Sequence, residues 1–569
     1  MKAWESFRDL WVVDFEFQTP VGDPQVPVCL VAHEIRSGRT LRVWQDELAQ
    51  LAQAPYNTGD DSLLIAYVAS AELGCHLALG WELPSFTLDL FAEFRTTTNG
   101  KYLPAGRGLL GAAVFYGLDA MSAARKDAMR ELVLRGGPWS EEERNQVLDY
   151  CESDVITATK VLRTMEPNID LPRALLRGRF MRAVARMEFA GVPLDVAAHD
   201  ELVEYWPHIQ DELINRVDRA FGVYEGRTFK LERFARYLEA QKIPWPRTAS
   251  GRLSLEDDVF RDQVRAYPQL SPLRELRASL SQLRLSGLTI GKDGRNRTPL
   301  WSFAAKTGRN QPSNAKFIFG PSVWLRSLIK PPPGRALAYL DYSQQEFAIA
   351  AVLSGDANML AAYSTGDAYL EFAKQAGAVP PDGTKESHGA VREQFKTCAL
   401  GVNYGMEENA LADRIGSTPV HARDLLAAHR RTYRTFWRWS DGVVDFAMLH
   451  GKIWTVFGWT LQLDATPNVR SLRNFPMQAN GAEMLRLACC LATERGITVC
   501  APVHDAMLIE ASTTDIDEAV AKARQAMQEA AYAVLGGTLG LRASTLRSCG
   551  TLDATATLAA FACGTRCGR

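Results

Sequence analysis

Long hydrophobic runs are absent from this sequence. No stretch approaches the roughly 18 to 20 uncharged apolar residues that a bilayer-crossing helix needs. The opening MKAWESFRDLW carries acids and runs into a strand-like segment, unlike a signal peptide. Cysteine is sparse and scattered. The ten residues form no CxxC pair that would indicate zinc, and adjacent Cys489 and Cys490 cannot make an ordinary disulfide. Reduced thiols and a cytosolic setting are expected. A charge excess of one sign is also missing, since 64 basic and 66 acidic residues leave −2. Taken globally, that balance disfavours a nucleic-acid binder, which usually carries a basic face. There are no internal repeats and no low-complexity linkers. An apolar share of 47% with 23% charged residues excludes a disordered, collagenous or coiled-coil chain. What remains is a globular chain of 569 residues, too long for one core, so roughly two to four domains are expected.

The charge is unevenly distributed. Residues 1–160 hold 14 basic and 23 acidic residues, net −9, whereas residues 261–330 hold 13 and 3, net +10. A basic block inside an acidic chain reads as a local electrostatic footprint. WVVDFEF (11–17) predicts a strand, and residues 140–165 predict a helix capped by Ser140. Residues 196–285 predict mostly amphipathic helix. RALAYLDYS (335–343) predicts a buried strand entered through PPPG, and residues 391–406 have helical period. ITVCAPVHDAMLIEA (497–511) predicts a hairpin around His504 and Asp505.

Asp341 ends one apolar strand and Asp505 sits at the hairpin tip. Two carboxylates brought together in apolar surroundings repel, and a divalent cation removes the repulsion. Two metals on two acids suit in-line nucleotidyl transfer. Arg392, Lys396, Leu400 and Tyr404 are spaced by four and share one helix face. Two cations and an aromatic in a row can hold a triphosphate beside a base.

Together these residues resemble family A DNA polymerases of the bacterial DNA polymerase I type. The first palm motif reads Asp341-Tyr342-Ser343-Gln344-Gln345-Glu346. The fingers motif is met by Arg392, Lys396, Tyr404 and Gly405, and the third motif by Val503-His504-Asp505. Thr307-Gly308-Arg309 and Arg470 with Asn474-Phe475-Pro476-Met477-Gln478 match two further family segments. The resemblance implies that Asp341 and Asp505 hold two Mg²⁺ (or Mn²⁺), assisted by the Tyr342 carbonyl. It implies a dNTP site of Tyr342, Gln344, Glu346, Arg392, Lys396, Leu400 and Tyr404, with Glu346 excluding a 2′-hydroxyl. Arg309, Arg470, Asn474, Gln478 and His504 would contact primer–template DNA, testing pairing geometry in the minor groove rather than sequence.

In the N-terminal part, Asp14-Phe15-Glu16 puts two carboxylates on one strand face, and Tyr150 and Asp154 lie one helical turn apart. Upstream of a polymerase, they resemble the 3′–5′ proofreading exonuclease of the DEDDy type. Asp14, Glu16 and Asp154 would ligate two further Mg²⁺, and Tyr150 would orient the attacking water. Where the family has its fourth acid, this chain has Glu72, within the segment 71–91, whose longer side chain would shift the oxygens and slow proofreading. Asp89 is expected to be structural. Met187-Glu188-x-x-Gly191-Val192-Pro193-Leu194-Asp195 resembles the family's link from exonuclease to polymerase.

The implied fold is multidomain α/β. A ribonuclease H-like exonuclease (1–170) and a connecting segment (171–195) precede a right-hand polymerase. That polymerase has a helical thumb (196–285), palm (286–347), helical fingers (348–465) and returning antiparallel palm (466–569). The implied function is primer extension from dNTPs by a monomer without membrane attachment, acting in a bacterial or phage-infected cell. A phage or prophage replication enzyme is expected, because no 5′-nuclease segment precedes residue 1. Two other readings stay open: a single-subunit RNA polymerase, against which the exonuclease motifs and Glu346 argue, and a catalytically weak replication accessory. Two departures stand out. Ala506 replaces the family's Glu after Asp505, with an expected electrostatic loss. Residues 543–569 lose the expected strand pattern, carry three cysteines and fit a frame shifted from Cys549, in which case the palm would lack its native terminal strand.

Overall fold

A computed structural model describes residues 4–119, 123–248, 250–282, 287–320, 323–403, 405–537 and 543–548. The predicted N-terminal strand forms as β1 (Asp9–Gln18), whose burial alternates around Asp14 and Glu16. With β2 (Val26–Glu34), β3 (Thr40–Trp44), β4 (Ser62–Ala66) and β5 (Phe86–Asp89) it builds a sheet of order β3-β2-β1-β4-β5. β1 runs antiparallel to β2 and parallel to β4. Its register against β2 shifts between Glu16 and Phe17, and such irregularities re-aim side chains beside functional sites.

Helices α1 (Ala69–Ala78), α2 (Ala123–Arg135) and α3 (Glu141–Met165) pack about this sheet. Ser140 caps α3 as predicted, in a full capping box with Glu143. Helix α4 (Leu171–Ala190) lies against β5 on one side and against the C-terminal half of the chain on the other. Gly178 permits that approach, because a Cβ there would stand 1.7 Å from the Thr87 carbonyl oxygen.

The amphipathic segment forms α5 (Val196–Asp218), α6 (Leu231–Ala240), α7 (Asp257–Ala266) and α8 (Ser271–Gln282). It closes a small core of its own around stacked Phe234 and Phe260. Arg277 lies over the Phe229 and Phe260 rings at 4.4 and 4.6 Å, a cation–π arrangement.

The second sheet joins β6 (Arg335–Tyr342), β7 (Thr498–Val503), β8 (Ala506–Ser512) and β9 (Ala543–Ser548) in the antiparallel order β7-β8-β6-β9. Within 543–569, where the strand pattern was expected to be lost, residues 543–548 form β9, which pairs with β6, Asp341 opposite Ser544. Main-chain hydrogen bonds complete that edge whatever the side-chain pattern. Residues 549–569, where the shifted frame was expected, lie outside the described residues. Helix α9 (Gln345–Ser354) leaves β6, and α10 (Lys385–Asn403) bends at His388. Helix α11 (Arg434–His450) leads to α12 (Val469–Glu494), which is buried along most of its length beside α13 (Ile516–Leu535). The seven described cysteines are free and buried. Among the described residues, no helix is long and apolar enough to cross a membrane.

Candidate functional site

The pairing of β6 with β8 sets Asp341 opposite Ala506, and the β7–β8 turn delivers Asp505 beside it. Tyr342 N–H donates to the Asp505 carbonyl at 3.4 Å. His504 is held at φ 57° and Gln344 at φ 54°. Both turns that follow the strand ends therefore use left-handed backbone uncommon for such residues. The two carboxyls touch. Burial, then Asp505, raises the Asp341 pKa to about 8. Burial raises that of Asp505 to about 6, against the pull of Arg309. Asp341 Oδ1 is buried with no hydrogen-bond partner. A mutually repelling pair with an unsatisfied oxygen fits a divalent cation. Tyr342 buries its ring and donates its hydroxyl to the Met527 carbonyl at 2.7 Å, so its backbone is what it can offer the site. Ala506 is fully buried.

Arg309 Nη2 donates to Glu346 Oε1 at 3.0 Å. On α10, Arg392 donates to Asp367 and Glu393, each at 2.5 Å, and Lys396 stands 3.6 Å from Glu393. Leu400 is half-buried on the same helix. Tyr404 lies outside the described residues. Gln344 donates to the Gly366 carbonyl at 3.1 Å and accepts from Ala368 N–H at 3.2 Å, so its amide fixes the loop that carries Asp367.

A cleft of about 520 Å³ runs between residues 308–320, α12 and the β7 end, with Arg309, Arg486 and His504 on its walls. Arg470, Asn474 and Gln478 follow one another by four along α12 and share a face. Arg470 pairs with Glu407 at 2.7 Å, and Asn474 Oδ1 is buried without a partner. Sequence reasoning missed Arg486. It pairs with Glu483 at 2.7 Å and donates to the Gly308 carbonyl at 2.7 Å, bracing the loop that carries Arg309. No motif marked it.

At the N-terminal sheet, one ligand atom from each of Asp14, Glu16 and Asp154 lies within 4.8 Å of the others. Burial first, then neighbouring acids, raises Asp14 to about 8 and Glu16 well above its ordinary value. Burial also raises Asp154, with Lys126 opposing. This donor set too fits divalent cations. Tyr150 sits one turn before Asp154, buried, its phenol pushed up by burial and then by Glu16. Glu72 is buried near the three acids, which help raise its pKa after burial, but one oxygen accepts Phe15 N–H at 2.7 Å. Asp89 is structural as expected, accepting from Ala69 and Ala92 N–H at 2.9 and 2.8 Å. Lys126, on polar α2, was missed by sequence reasoning. Its Nζ lies 2.7 Å from Asp154 Oδ2.

Residues 279–544 match the model of DNA polymerase family A. "DNA polymerase I, thermostable" of Thermus thermophilus is 25% identical over 69% of this chain and 50% of that protein. The DNA polymerase of Mycobacterium phage L5 is 24% identical over 69% of this chain and 66% of that protein. The chain spans about half the length of the Thermus and Chloroflexus relatives it matches. The solved POL domain of Pol1 from M. smegmatis, in complex with DNA primer-template and dNTP, shares the fold. Its TM-score is 0.73 at 20% identity, over 97% of this chain and 98% of that one.

Proposed function

Residues 279–544 of this chain belong to DNA polymerase family A, and from that membership we propose that the chain is a DNA-directed DNA polymerase extending a primer with dNTPs. The observation that carries the reading is the Asp341–Asp505 pair, with its unpartnered buried oxygen, beside the cleft that Arg309 and His504 line. We assign β6–β9 to the palm, residues 348–465 to the fingers and α5–α8 to the thumb. Divalent cations held by Asp341, Asp505 and the Tyr342 carbonyl would supply activation of the primer 3′-hydroxyl and charge neutralisation at the leaving group. Arg392 and Lys396 exchange Asp367 and Glu393 for the triphosphate. Glu346, pinned by Arg309, bars a 2′-hydroxyl by occupying its space. Arg470, Asn474 and Gln478 offer a donor row to the primer–template minor groove, and Leu400 belongs to the dNTP site.

We further assign residues 1–170 to a ribonuclease H-like 3′–5′ exonuclease, with Asp14, Glu16 and Asp154 as metal ligands and Tyr150 orienting water. Glu72 gives one oxygen to Phe15 N–H, which supports weak proofreading. The test offers a primed template dNTPs or rNTPs with Mg²⁺. Template-directed dNTP addition is expected. A preference for rNTPs, or binding without extension, would overturn the reading.

A further inference from the structure

Lys126 is the cation nearest a site made of acids. Its ammonium lies 2.7 Å from Asp154 Oδ2 and 6.0 Å from the Tyr150 ring centroid. Charge opposing the acids is felt beyond that pair, since Lys126 also lowers Asp14 and Glu16 against the burial that raises them. Among the described residues, Lys126 is the basic side chain that acts on all three. The fourth acid, Glu72, gives one oxygen to the Phe15 amide and still brings its charge to the three others.

Formal charge then sets the capacity. Asp14, Glu16, Asp154 and Glu72 sum to −4, which two divalent ions would neutralise, but Lys126 brings the site to −3, so that one divalent ion leaves −1. A second would leave the enclosed site with excess positive charge and would need the Asp154 oxygen that Lys126 holds. We propose that Lys126 is a built-in counter-cation of this site, so that it loads one divalent ion while the Lys126–Asp154 pair is closed and a second only when that pair opens. Lys126 acts here as a positioning residue, through Asp154. The proposal rests on reading the three acids as metal ligands.

Mn²⁺ titration of the full-length chain, followed by electron paramagnetic resonance, tests it. Asp341→Asn and Asp505→Asn together remove the other metal site from the count. In that background one Mn²⁺ per chain is expected. Lys126→Met should bind a second ion, or bind the first at least tenfold tighter, while Lys126→Arg should retain a single ion at the original affinity. Unchanged stoichiometry and affinity in Lys126→Met would overturn the role of Lys126, as would two ions bound with Lys126 intact. Adding Asp14→Asn should abolish binding. Binding that ignores Asp14→Asn would instead overturn the metal reading on which the proposal stands.

Discussion

Arg309 reaches Glu346 at 3.0 Å and at the same time pulls the Asp505 pKa down. One guanidinium therefore ties the residue assigned to sugar selection to a residue assigned to metal binding. Glu346→Ala should raise ribonucleotide incorporation relative to dNTPs by roughly 10- to 200-fold, the range a steric contact in a pocket commands. Competing single-nucleotide additions on one primed template measure it. Equal selectivity in the variant would remove Glu346 from that role.

Asp14→Ala should abolish removal of a mismatched 3′ end while leaving extension of a paired primer intact, because Asp14 and Asp341 lie on different sheets. Gel assays of both activities on the same preparation decide. Loss of extension with Asp14→Ala would contradict the division of labour.

His429 is fully enclosed, accepts from Trp437 Nε1 at 3.1 Å and packs against Phe372, Tyr433 and Phe436. Burial, then Arg430, lowers its pKa from 6.5 to about 3. The folded state resists the proton that the unfolded state takes. Stability is therefore full above pH 6.5 and is lost as pH falls from there toward 3, by up to about 1.4 kcal/mol per pH unit. His429→Gln should lower Tm at pH 7 and flatten its decline between pH 6.5 and 4.5. A parallel decline in both proteins would count against this account.

Gly178→Ala should destabilise the chain by about 1–3 kcal/mol or more, because the new methyl meets a backbone oxygen that cannot rotate away. Thermal unfolding measures the loss, and an unchanged Tm would mean that α4 lies less tightly on β5.

Much of this site was legible because its chemistry sits on short periods. Asp14 and Glu16 alternate along a strand, Tyr150 and Asp154 span one helical turn, and Arg392, Lys396 and Leu400 repeat every four residues. What could not be read depends on contacts distant in sequence. The reach of Lys126 to Asp154, of Gln344 to Gly366 and of Arg486 to Gly308 follows from packing, and no local pattern records it. The strand at 543–548 was not read because side-chain alternation is a poor guide at an edge held by backbone pairing. The basic block was legible as composition but not as use. Arg277 lies against aromatic rings, Arg295 pairs with Glu510 at 2.7 Å and Arg297 with Asp293 at 2.6 Å. Part of the +10 thus stabilises the fold instead of facing a duplex.

The central claim is that Asp341 and Asp505 together hold the reacting centre. Extension of a labelled primer by the unmodified chain, beside Asp341→Asn and Asp505→Asn, tests it most directly. Each substitution should cut the single-turnover rate on the order of 10³-fold or more, with primer–template affinity retained and Tm in chelator equal or higher, since a buried repulsion is removed. Near-normal extension by either variant would contradict the account.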